Sequence, residues 1–224
     1  TAITYRYEED ACNRVIYSES HDEVANGKAR VPQEINNDDP TGWHAQKRST
    51  LAAGLLFTAP GIPMIFQGQE FLQGEWFRDN VPLDWHMNEE YHGVARMYRD
   101  LIWLRLNRDG VSRGLCGQNV AVTHVNDQQN LIAFQRWDQH GDGDDVMVIA
   151  NCGYEVKEGY RIGMPQNGEW KLRFNSDASI YSDDFQNILS THLTATDEAQ
   201  DGLPASAEVT IAPYSVLIYS RDPS

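Results

Sequence analysis

The chain has 224 residues, 41% hydrophobic and 23% charged, a balance that fits a soluble globular protein and not a disordered one. Its formal net charge is −15, with no Lys/Arg cluster to relieve it, so nucleic acid is not an expected partner. No apolar run approaches the roughly 18 residues of a membrane span, and the three isolated thiols Cys12, Cys116 and Cys152 lack the even count of a disulfide framework and the spacing of a zinc site.

The opening segment TAITYRYEEDACNR is polar, with no basic stretch leading into an apolar one, so no secretory leader is expected there. Together with the unpaired thiols this gives a reducing cytoplasm as the expected compartment. Arg14 to Ser20 is a short β-prone run, followed by a long loop rich in Asn, Asp, Gly and Pro. His44 to Thr58 turns helical, with Leu51, Ala52, Leu55 and Leu56 on one stripe, and Ala59-Pro60-Gly61 stops it. Ile62 to Gln67 is a second strand, apolar enough to be a parallel strand buried on both faces. An aromatic loop from Gly68 to Asn88 leads into a helix over Glu90 to Arg108. Val94, Met97, Leu101 and Leu104 lie on its core side, and Asp109-Gly110 ends it.

After about Val111 the texture changes. VAVTHV, NLIAFQRW, DVMVIAN, EWKLRFN, AEVTIA and YSVLIYS are short β-rich runs separated by turn signals, the pattern of an antiparallel sandwich with one polar face. Two domains are therefore expected, 1–110 and 111–224. Asp142, Asp144 and Asp145 lack the spacing of a calcium loop and are expected in a solvated turn. Trp137 and Trp170, single aromatics on β-rich runs, are expected in the core, with exposed stacking rings as the alternative.

The chemistry-bearing feature is Ser20-His21-Asp22-Glu23-Val24, expected at the C-terminal tip of the first strand, where barrel enzymes place reactive side chains. Read with TAPGIPMIFQGQEF, the loop closing in VPLDW, the helix MYRDLIWLRLNR and the terminal APYSVLIYS, the segment VIYSESHDEVANGK resembles the α-amylase superfamily of glycoside hydrolases. The HDEV and GQEF pieces are closest to branching enzymes and amylase-like relatives, whereas PGIPMIF is more amylase-like. The resemblance implies an α+β chain, formed by the last two βα units of a (β/α)8 TIM-type barrel and an all-β C-terminal domain. It also implies an α-glucan or malto-oligosaccharide substrate and no cofactor.

By the same resemblance Asp22 is the carboxylate that stabilises the oxocarbenium-like transition state of a retaining glycosidase, and His21 donates to the same sugar. Glu70 is expected to contact substrate or to brace the barrel mouth. Trp76, Phe77 and Trp85 are expected to form a stacking subsite or to pack over the rim. The nucleophile Asp and acid/base Glu of the family have no match in these residues, and alternation along the strand points Glu19 and Glu23 away from Asp22's side. The barrel segment is thus expected to be completed by other polypeptide or to self-associate. A non-catalytic glucan-binding or interaction module is the alternative. No HExxH, GxSxG or GxxxxGK motif is present, and no metal site is expected.

Overall fold

The computed structural model describes residues 2–141, 143–186 and 188–223. In chain order the first elements are β1 (Val15–Ile16), α1 (His21–Val24), α2 (Val31–Ile35), α3 (Trp43–Thr58), β2 (Ile62–Pro63), α4 (Trp85–Glu90) and α5 (His92–Arg105). The strands that follow are β3 (Asn119–Asn126), β4 (Leu131–Trp137), β5 (Val146–Asn151), β6 (Lys157–Met164) and β7 (Gly168–Asn175). The last three are β8 (Leu193–Ala195), β9 (Ala205–Ile211) and β10 (Ser215–Ser220).

β1 and β2 pair in parallel, Val15 opposite Ile62 and Ile16 opposite Pro63, with α3 in the crossover between them. Both are much shorter than the runs Arg14–Ser20 and Ile62–Gln67. Each has one neighbour among the described residues, and Pro63 has no N–H to extend the ladder. Ile62 is 50% exposed, so the second strand is not buried on both faces as its apolar run suggested.

α3 runs until Pro60 makes further helix unfavourable for the residues before it. Its last carbonyls are met by two arginines. Arg105 donates to Phe57, Ala59 and Gly61, and the buried Arg136 donates to Thr58, so cations sit at the negative end of the helix. The Leu51, Ala52, Leu55, Leu56 stripe is split: Leu51 is buried, whereas the other three line an open apolar cavity of about 670 Å³ with Val15, Ile16 and Tyr5. α5 buries Val94, Met97, Tyr98, Leu101 and Leu104, each worth about 1.5–3 kcal/mol if fully removed from water. The helix expected from Glu90 to Arg108 is two helices broken at Tyr91, and it ends where Asn107 takes a left-handed φ of 50°.

The strands form a six-stranded antiparallel sheet, ordered β3-β4-β5-β10-β7-β8, and a separate antiparallel pair, β6-β9. Alternation along the central strands divides the core. Val146, Val148, Ala150, Val216 and Ile218 face α3 and α5, while Met147, Ile149, Leu217 and Tyr219 face β6 and β9. Every residue of β5 and β10 is therefore buried, and the single polar face expected of the sandwich is absent from its centre. β6 and β8 gave no β-rich run in the sequence. β6 carries Lys157, Glu158, Arg161 and two glycines, and at Gly163 a Cβ would lie 2.3 Å from the Gln200 carbonyl oxygen.

Trp170 is fully buried and donates to the Gln166 carbonyl, while Trp137 stacks on His140 with ring centroids 4.9 Å apart. Asp144 and Asp145 are buried, contrary to the solvated turn expected. Asp144 accepts from the N–H groups of Asp138 and Gln139, and Asp145 from the amides of Gln135 and Gln166. Asp142 lies outside the described residues. Cys12, Cys116 and Cys152 are free and exposed. No helix among the described residues is long and apolar enough to cross a membrane.

Candidate functional site

His21 and Asp22 do not sit at a strand tip. The chain leaves β1 at Ile16 and turns into α1, a single helical turn whose N-cap is Ser20, with Ser20 Oγ accepting from Glu23 N at 3.3 Å. Both side chains are open, 64% exposed for His21 and 84% for Asp22, with His21 Nε2 and Asp22 Oδ1 3.3 Å apart. The turn is held from both sides. Lys28 Nζ donates to the Asp22 carbonyl at 3.0 Å, and Phe77 N donates to the Val24 carbonyl at 2.7 Å. The second bond brings the loop after β2 alongside, and the Phe77 ring stands edge-on to His21 with centroids 6.4 Å apart.

Of the other expected site residues, the structure gathers only part. Trp76, 39% exposed, lies beneath the Arg78 guanidinium, which pairs with Glu75 at 2.6 Å. Trp85, 63% exposed, opens α4 and leans on Phe71 with centroids 5.5 Å apart. Among the described residues the His21 ring pairs with Phe77 and with neither tryptophan. Glu70 has one carboxylate oxygen buried without a hydrogen-bond partner among the described residues. Its charge acts on Glu19 and Tyr98.

Beneath this surface lies a polar cluster that the sequence did not single out. Arg30 and Glu19 are 2% and 1% exposed and form an ion pair at 3.0 Å. Glu19 also accepts from Val31 N at 2.8 Å, while Arg30 donates to the carbonyls of Gln67 and Glu75 at 2.9 and 3.1 Å. One guanidinium thus ties together the loop after β1, the loop after β2 and the start of α2. Burial pushes the Glu19 carboxyl above its usual range, against the pull of Val31 N–H and Arg30. Burial likewise pushes the Tyr98 hydroxyl well up, and the charges of Glu19 and Glu70 add to it.

Strand alternation placed Glu19 away from the site, but β1 ends at Ile16, so a two-residue period has no hold three residues later. Arg30 carried no local signal, because its partners come from segments 11 to 45 residues away. Among the described residues, no group of three His, Cys, Asp or Glu side chains is placed to hold a metal ion.

Residues 122–222 match the family described as "Alpha amylase, C-terminal all-beta domain". Among curated proteins, the chain is 33% identical over 224 residues to a 1,4-alpha-glucan branching enzyme of Shewanella sp. (strain W3-18-1), covering 97% of this chain. It is 30% identical over 222 residues to a branching enzyme of Xanthomonas euvesicatoria pv. vesicatoria (strain 85-10), again over 97% of this chain. The chain spans 28% and 29% of the length of these two relatives. Among solved structures, a pullulanase complexed with maltotetraose from Anoxybacillus sp. LM18-11 superimposes with a TM-score of 0.61 at 16% identity, over 93% of this chain and 28% of that one. An α-amylase from H. orenii gives 0.58 at 18% identity, over 93% of this chain and 40% of that one, and at such identities both speak for the fold alone. The chain belongs to the α-amylase superfamily, matching the C-terminal portion of its members.

Proposed function

We propose that these residues serve a retaining α-glucan-processing enzyme, to which they contribute the transition-state-stabilising carboxylate, Asp22. Residues 1–110 would be the closing βα units of its catalytic (β/α)8 barrel, and residues 111–224 the all-β domain packed behind them. The observation that carries this reading is the His21–Asp22 pair itself: two open side chains 3.3 Å apart on a turn pinned by a buried ion pair.

An exposed carboxylate on a fixed backbone can accept hydrogen bonds from ring hydroxyls beside the reacting carbon. Those bonds strengthen as that carbon becomes cationic, so they favour the transition state over bound substrate by several kcal/mol. His21 would donate to the same sugar ring and fix its orientation, with Phe77 limiting the imidazole's swing. The nucleophile and the acid/base would come from polypeptide outside these residues. Trp76, Trp85 and Glu70 keep supporting roles in this reading: two exposed rings on which a sugar face can stack, and a brace beneath the loop after β2. The identities of 33% and 30% to proteins named branching enzymes favour transfer of a 1,4-linked glucan over its hydrolysis.

The test is Asp22→Asn in the full polypeptide that carries these residues, assayed on soluble starch. Loss of a contact made in the transition state predicts a drop of at least about 100-fold; activity kept within about tenfold overturns the assignment. Analysis of the products for new branch points, against free reducing ends, separates transfer from hydrolysis.

A further inference from the structure

Asn26 is followed by Gly27 four residues after Asp22, in the turn that carries the chain from α1 toward α2. An Asn-Gly pair holds a latent reaction. The glycine nitrogen lies within reach of the asparagine side-chain carbonyl carbon, and no Cβ shields it. The reaction needs solvent, an asparagine amide that is not held elsewhere, and a glycine free to turn.

The turn supplies all of these. Both residues are exposed, and Gly27 with Lys28 lines an open cavity of about 420 Å³. The Asn26 amide has no hydrogen-bond partner among the described residues. Gly27 takes a φ of 82°, and a Cβ built there would meet nothing within 4 Å, so its peptide is unpacked. One bond closes the turn, Lys28 N donating to the Ala25 carbonyl at 3.2 Å. A single contact at the long end of the hydrogen-bond range therefore resists the rotation that brings Gly27 N onto Asn26 Cγ.

The other Asn-Gly pair of the chain is built the opposite way. Asn167 Nδ2 donates to Asp197 Oδ1 at 2.7 Å, and Gly168 opens β7 in register with Ala195 of β8. There the amide is tied to a carboxylate and the glycine to a ladder, so the same dipeptide is held back from reaction.

We propose that Asn26 is a site of spontaneous deamidation, a covalent change that alters the turn presenting Asp22. Gly27 N bonds to Asn26 Cγ, the Cγ–Nδ2 bond breaks, and the proton released by Gly27 N leaves with the side-chain nitrogen as ammonia. Water, the only co-reactant, then opens the cyclic imide. Attack at Cγ leaves an aspartate; attack at the main-chain carbonyl leaves an isoaspartate, whose main chain is longer by one methylene. Either product adds a negative charge two residues from Lys28, whose Nζ holds the Asp22 carbonyl at 3.0 Å. The longer main chain also disturbs the neighbouring contact, where Phe77 N donates to the Val24 carbonyl at 2.7 Å and Ala25 is bridged to Phe77.

The test keeps the 224-residue chain in mildly alkaline buffer for days and follows amide loss by mass spectrometry of its peptides. Asn26 should convert at least about tenfold faster than Asn167, whose amide must first break a bond to a carboxylate. No conversion at Asn26, or equal rates at the two sites, overturns the proposal.

In the full polypeptide, starch activity should fall in step with conversion; this arm rests on the glucan reading above. Asn26→His has no amide to lose and tolerates the left-handed backbone at φ 57°, so it should keep its activity through the same treatment. Activity that survives conversion of Asn26 but not Asp22→Asn overturns the link to the turn. Activity that survives both sinks the glucan reading and leaves the deamidation site standing.

Discussion

Glu19 and Arg30 meet at 3.0 Å almost wholly out of solvent, and Glu19 adjoins Ser20, the N-cap of the open turn that presents His21 and Asp22. The exposed pair thus stands on a buried one. Removing one partner of a buried ion pair strands the other charge and costs about 3–5 kcal/mol. Glu19→Gln keeps an acceptor for Val31 N–H, so a loss near the lower end, about 3 kcal/mol, is expected from urea unfolding. A loss under about 0.5 kcal/mol would show that the pair does not hold these loops.

Asp22→Asn should behave in the opposite way. The side chain is 84% exposed, so its replacement should leave stability within about 0.5 kcal/mol while removing activity from the full polypeptide. A large fall in urea midpoint would make Asp22 a structural residue.

Gly54→Ala sets two effects against each other. Alanine gains about 1 kcal/mol of helix propensity in α3. Its Cβ would also lie 2.9 Å from Val216 Cγ2, and Val216 is fully buried in β10. Overpacking of this kind costs about 1–3 kcal/mol, so net destabilisation is expected. Val216→Ala in the same chain should recover part of it, and additive losses in the double-mutant cycle would refute the clash.

Asp222 gives a pH dependence of known sign. Hydrogen bonds from Arg173 and Lys171 hold its carboxyl at about 2, below the ordinary 3.8. Between those values the unfolded chain binds more protons, so stability rises with pH across that window. The contribution is fully present above the ordinary value and is lost as pH falls through about 2. The stability difference between wild type and Asp222→Asn should be constant above about pH 5 and shrink toward pH 2. A difference that grows on acidification would reverse the assignment.

Val15 and Ile62, 49% and 50% exposed, present the two parallel strands without cover among the described residues. An apolar patch with free strand edges favours association. The 224-residue chain should show concentration-dependent mass in light scattering, and Val15→Lys with Ile62→Lys should reduce it. A monomer at every concentration would show that the face is stable in water.

Much of the architecture was legible because it is written in local periodicity. α3 and α5, and the strands β3, β4, β5, β7, β9 and β10, follow runs whose apolar spacing matches a helix or a strand. β6 escaped because its glycines and charges serve contacts with other segments, such as the approach of Gln200 to Gly163. The burial of Asp144 and Asp145 escaped for a related reason: their hydrogen-bond donors include the side chains of Gln135 and Gln166, which chain spacing does not reveal.

The same division runs through the site. Sequence by itself singled out the pair proposed to carry the chemistry, His21 and Asp22, since a short motif that resembles a family's is a local property. Only the tertiary structure decided that the pair rides a capped helical turn, with Phe77 against the imidazole and Arg30 and Glu19 buried beneath. A buried charge is tolerated only where partners converge on it, and for Arg30 these come from residues 19, 67 and 75, far apart in the chain. Spacing along a sequence encodes which face a residue takes in its own element, but not which distant segment will meet it there.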